Sequence, residues 1–98
     1  MAHSLQSAEF LIECRTADAA RGDAAAAYEL GVLYSTGAAG IRLDLIEAHK
    51  WFNLASMWGS EAAQQCRSDV AEDMTAREIA EAQRQARAFL QASYARAA

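Results

Sequence analysis

The side chains able to do chemistry in this 98-residue chain are few and scattered. Its two histidines are His3, close to the start, and His49. On a helix His49 sits about 100° from Ala48 and is flanked by Lys50, which reads as a partly exposed histidine and not a ligand or base. Cys14 and Cys66 stand alone, with no CxxC pair and no histidine at ligand spacing. They read as small, largely apolar helix residues. A Cys14–histidine nucleophile pair would need a third group to orient it, and none can be identified. Glu47, Glu61, Glu72, Asp73, Glu78 and Glu81 are spread over helix starts and solvated faces. Acids near helix N-termini complement the dipole, which accounts for Asp23, Asp44, Glu61 and Glu78 without catalysis. The glycines between Gly37 and Gly40 have neither GxxxxGK[ST] nor GxGxxG form, so phosphate binding has no support. The expectation is a chain with no catalytic, metal-binding or cofactor-binding residue, and not an enzyme.

Composition points the same way. Of the 53% of residues that are apolar, 25 side chains are alanine, leaving 27 larger ones for a thin core. Val, Ile and Thr number nine together and proline is absent, which favours helices over strands and predicts an all-α domain. The net charge of -4 and the lack of any block of Lys or Arg argue against nucleic acid, whose binding begins with a basic patch. No apolar stretch approaches the roughly 18 residues of a membrane span. The opening Met-Ala-His-Ser-Leu-Gln lacks the basic start and apolar run of a secretory signal. If it is the natural start, a cytoplasmic location follows.

Start and stop signals predict five helices. The first runs from about Leu5 to Ala20, with Ala8, Leu11, Ile12 and Cys14 apolar, and ends at Gly22. Asp23 caps a second over about 24–35, whose Ala26, Leu30 and Leu33 form one stripe. A glycine-marked loop over 37–43 leads to Asp44, the cap of a third helix over 45–58. There Ala48, Trp51, Phe52 and Ala55 fall at i, i+3, i+4 and i+7. Ser60 opens a fourth helix to about Asp73, with Ala62, Ala63, Cys66 and Val70 apolar. Thr75-Ala76-Arg77-Glu78 has the form of a capping box for a fifth helix to about residue 95, with Ile79, Ala82, Ala86, Phe89 and Leu90 on one side. Its last residues are expected to fray.

The elements also repeat. A shift of 37 residues lays Arg21-Gly22-Asp23-Ala24-Ala25 over Trp58-Gly59-Ser60-Glu61-Ala62, and Cys14 over Trp51. Periods of about 20–50 residues mark helical repeats. The central pattern is Ala26-x3-Leu30-Gly31-x2-Tyr34-x2-Gly37, then Gly40-Ile41-x2-Asp44-x3-Ala48-x2-Trp51-Phe52-x2-Ala55-x3-Gly59-x3-Ala63. It resembles a Sel-one-like repeat, a relative of the tetratricopeptide repeats built of helix–turn–helix units. Residues 67–89 resemble the closing helices of short bacterial members. The resemblance implies an α/α solenoid of about five antiparallel helices in a single domain over 1–98. It has one full repeat over about 26–63, closing helices over about 60–73 and 75–95, and half-repeat caps. The physical roles follow: the alanines admit close helix approach, Trp51 and Phe52 fill the wedge, and Gly31 clears a crossing. Tyr34 buries its ring near the loop and Asp44 caps. This sequence departs in three places. The Gly37–Gly40 loop is one residue longer than Gly-x-Gly, the fourth helix lacks the Leu-Gly and Tyr positions, and the first lacks the Trp-aromatic pair.

Large side chains left over from the core mark candidate contacts. From Ala48, Met57 falls at about 180°, opposite the core face, and Leu54 and Trp58 at about 240° and 280°. They form either a contact patch or, for Trp58, a ring folded under the first helix. On the second helix Tyr28, Val32 and Ser35 lie away from the stripe, with Glu29 at their edge placed to pair with a basic partner. The resemblance makes these four groove residues; packing of Tyr28 and Val32 on the first helix is the alternative. One full repeat is little, since about three stacked units usually bury a continuous core. The expected function is therefore a non-catalytic protein–protein interaction module, an adaptor or accessory subunit of a larger bacterial-type complex. A self-associating structural protein is the alternative, and a small hydrolase stands behind both.

Overall fold

A computed structural model describes the backbone of residues 3–97 and the side chains of 7–96. It is all-helical among the described residues: α1 (His3–Ala20), α2 (Ala24–Thr36), α3 (Leu45–Met57), α4 (Glu61–Ala71) and α5 (Ala76–Ala97), with one 3-10 turn at Ala38–Gly40. The helices begin where short polar side chains accept from orphan amides. Asp23 takes the amide of Ala26 at 3.1 Å, Asp44 that of Glu47 at 3.1 Å, and Ser60 that of Ala63 at 3.1 Å. Thr75 and Glu78 close the expected box reciprocally: the Thr75 amide donates to Glu78 Oε1 at 2.8 Å and the Glu78 amide to Thr75 Oγ1 at 3.1 Å. α1 starts two residues earlier than its apolar pattern suggests, and α5 runs on through the segment expected to fray.

The loop after α2 accommodates its extra residue through backbone conformation. Gly37 ends α2 at φ +72°, and Ala39, which has a Cβ, also adopts the left-handed region at φ +59°. The Asp44 amide then donates to the Tyr34 carbonyl at 2.9 Å, pinning the start of α3 to the end of α2.

α3 is the hub. α2, α4 and α5 all pack on it, α1 packs on α2, and α5 barely touches α4. α2 and α3 run antiparallel, since Tyr34 meets Asp44 at the loop end while Tyr28 and Gly31 meet Phe52 further along. Their approach is close: a Cβ on Gly31 would lie 2.5 Å from Phe52 Cδ1 and Cε1. The core is alanine-rich, with Ala19, Ala26, Ala27, Ala48, Ala55, Ala63 and Ala86 around Leu30, Trp51, Phe52 and Leu54. Such short side chains let helix axes come together, and the few large ones fill what remains. Trp51 meets the ring of Phe89 on α5 edge-on at 5.0 Å between centres. Its indole N–H donates to Glu47 Oε2 at 2.9 Å. Lys50 Nζ sits 4.7 Å from the Trp51 ring centre and 3.0 Å from the same carboxylate. The radius of gyration, 13.1 Å, is that of a compact domain of this length.

Two expectations about side chains are corrected by α3's position. His49, read as partly exposed, is buried at 4% exposure, and Leu54, read as part of a contact patch, is buried completely. The i, i+3, i+4, i+7 pattern of Ala48, Trp51, Phe52 and Ala55 describes a single inward face. With neighbours on three sides its buried arc extends from Leu54 round to His49, roughly 220°. Two smaller differences have the same origin in neighbour placement: Ala62 faces outward, and Ala19 is fully buried without having been singled out.

Candidate functional site

The residues that could do chemistry are not brought together. His49 on α3 faces α4. Burial lowers its pKa below the ordinary imidazole value, the nearby Arg67 guanidinium lowers it further, and Nδ1 has no hydrogen-bond partner. Arg67 itself donates to Asn53 Oδ1 at 2.8 Å, tying α4 to α3. Cys14 is a free, half-buried thiol on α1. Cys66 lies beside the Tyr28 hydroxyl, whose pKa it raises. Among the described residues no three His, Cys, Asp or Glu side chains gather as a metal site requires.

The surface is more informative. Two cavities of about 590 and 430 Å³ share Ala17, Ala20 and Arg96, so they form one trough between α1 and α5. Its apolar walls come from Ile12, Phe89, Leu90 and Trp58, with Tyr94 at the rim. Trp58 is half-buried and lines this open trough, across from Ala17 and Ala20 at the end of α1. Met57, one residue earlier, is 58% exposed, as its wheel position predicts.

The four groove residues of α2 divide. Tyr28 and Val32 are half-buried against the core, and Tyr28 packs on Phe52 at 5.8 Å between ring centres. Its hydroxyl points to α4 and not to α1. Ser35 donates its hydroxyl to the Val32 carbonyl at 3.2 Å, a bond within its own helix. Glu29 is exposed and meets a basic partner inside the chain, accepting from Arg15 of α1 at 3.4 Å. None of the four lines the trough.

The trough residues Leu90, Ser93 and Tyr94 were not singled out as contacts. Their signal was present, since they continue the Ala82, Ala86, Phe89 stripe at i+3 and i+4 spacing. Leu90 is on the expected apolar side of the fifth helix, but a stripe on one helix does not show that α1 stands across from it. A third cleft, of about 490 Å³, opens between the N-terminal half of α1 and the segment 40–44. Exposed Phe10 and Leu43 complete the apolar surface on α1 and in this loop. No helix among the described residues is long and apolar enough to cross a membrane. No protein-family profile, curated protein or solved structure matches the chain.

Proposed function

We propose that this chain is a non-catalytic protein-interaction module, an adaptor or accessory subunit of a larger complex, built as a short Sel-one-like helical repeat. The repeat reading is supported by spacing in three dimensions. Tyr28 lies by Cys66 and Trp51 by Phe89, each pair 38 residues apart. Arg21 and Gly22 line one cavity with Trp58, about the same distance along the chain. Proximity between points about one repeat length apart is what stacked units produce. α5 departs from a further regular unit, since it leans on α3 and hardly on α4.

The observation that carries the functional reading is the trough beside Trp58. The motif residues Ala26, Gly31, Ala48, Trp51, Phe52 and Ala55 are spent on helix packing, while Trp58, Leu90 and Tyr94 line an open apolar channel. Partly exposed aromatic side chains beside a groove are typical anchors for a partner. Trp58 in the trough and the exposed Met57 outside it are the proposed contact residues, with Tyr28, Glu29, Val32 and Ser35 a second face. Leu54 is withdrawn from the set by its burial.

The test is co-purification of the tagged chain from its native host. A partner retained at constant ratio, and lost in Trp58→Ala or Met57→Glu while the thermal melt is kept, supports the reading. A chain that elutes alone, with sedimentation as a monomer at every concentration, argues against both the adaptor and self-association.

A further inference from the structure

We propose that the cleft between α1 and the segment 40–44 is a docking site for a lysine- or arginine-bearing segment of a partner protein. This rests on the interaction-module reading and adds the chemistry of what is held. The cleft has about 490 Å³ of space over an apolar floor to which Ala8, Ile12 and Ile41 contribute, with Tyr34 beside them. That floor suits the aliphatic stem of a long basic side chain, which buries its methylenes and keeps its head in water.

The rim selects the charge. Glu9 and Glu13 stand one turn apart on α1, at i and i+4, and Asp44 faces them from the start of α3. Among the described residues the carboxylates of Asp18, Glu29, Glu47 and Glu81 are each met by an Arg or Lys, while those of Asp23, Glu61, Asp69, Glu72, Asp73 and Glu78 stand along the helices without one. Glu9, Glu13 and Asp44 have no such pair among the described residues. Asp44 commits Oδ1 to the amide of Glu47 and leaves its other oxygen available. Against these three stands one cation in the lining, Arg42. The negative potential is felt at Tyr34, whose phenol is pushed up by burial and then by Glu47 and Asp44. The trough between α1 and α5, by contrast, has two cations, Arg21 and Arg96, against Glu13, so it does not share this acidic rim.

The test is a titration of the whole chain, followed by amide correlation NMR, with a blocked Lys-Leu-Lys-Leu tetrapeptide and its Gln-Leu-Gln-Leu counterpart. Saturable shifts centred on Ile12, Tyr34 and Ile41 with the lysine peptide alone are expected. Binding should weaken by about two- to fivefold in each of Glu9→Gln, Glu13→Gln and Asp44→Asn. Asn caps a helix as well as Asp does, so the last variant removes charge without the cap. Arg42→Gln should tighten binding, and Glu61→Gln on α4 should leave it unchanged. Equal shifts with the glutamine peptide, shifts scattered over all acidic residues, or indifference to Glu13→Gln would each overturn the proposal. The Trp58→Ala capture experiment reads a different surface. A native partner lost there, with no peptide binding here, overturns this cleft and leaves the module reading intact.

Discussion

Replacing Gly31 with alanine sets two effects of opposite sign against each other. In the middle of α2, alanine is a better helix former than glycine by about 1 kcal/mol. Considered alone, α2 should become more stable. The added methyl, however, would sit 2.5 Å from two carbons of the Phe52 ring and 2.9 Å from a third. Carbon atoms in favourable contact are about 3.5–4.0 Å apart, so the overlap is on the order of 1 Å. The ring has little room to retreat, being 1% exposed and held against Tyr28 at 5.8 Å between centres. Overpacking of a filled core costs about 1–3 kcal/mol, so the clash outweighs the propensity gain, by about 1 kcal/mol on central values. At roughly 4–8 °C per kcal/mol for a domain near this size, the melting midpoint should fall several degrees. Urea denaturation followed by far-UV circular dichroism measures the difference. The decisive comparison repeats the change in a Phe52→Ala background, where Cγ, Cδ1 and Cε1 are all gone. There Gly31→Ala should be neutral or stabilising, leaving a coupling of about 1 kcal/mol or more between the two positions. A rise in the wild-type midpoint, or an equal cost in both backgrounds, would refute the close-crossing argument.

Two further outcomes follow from the structure. Burial holds His49 below its ordinary pKa of 6.5, so the unfolded chain takes up a proton that the folded chain refuses. This stabilisation is complete above pH 6.5 and declines as pH falls below it toward the folded-state value, with a limiting slope of about 1.4 kcal/mol per pH unit. His49→Gln should flatten the loss below about pH 6.5; an unchanged slope in a urea series would refute the assignment. Ala39 holds a left-handed backbone at φ +59° that costs about 1–2 kcal/mol with a Cβ present. Ala39→Gly should relieve it, offset in part by unfolded-chain entropy, and raise stability by roughly 0.5–1 kcal/mol in the same denaturation assay.

The features foreseen correctly are local in sequence. Each cap is a hydrogen bond between residues three apart, as with Asp23 and Ala26 or Ser60 and Ala63, so its partners are always within reach of one another. The stripe of α5 is legible for the same reason, because Ala82, Ala86 and Phe89 face one neighbour. The glycine at position 31 could be read as a crossing because only a missing side chain explains its place in an apolar helix. Its partner, Phe52, belongs to the next helix of the same pattern. The contact residues were harder. Met57 was legible because it lies opposite everything that packs, while Trp58 sits at the edge of burial, beside an open trough.

The order of helices, their ends and their caps thus depend on interactions spanning three or four residues, which composition and spacing encode directly. Whether His49 and Leu54 were inside or outside depended on how many helices α3 would gather, and a periodic pattern on one helix does not count its neighbours. The same holds for the clefts. Glu9 and Asp44 are 35 positions apart and share a rim only because α1 is laid along the end of the α2–α3 pair. Packing of distant segments, paid for by burial that no single element can achieve alone, made those decisions.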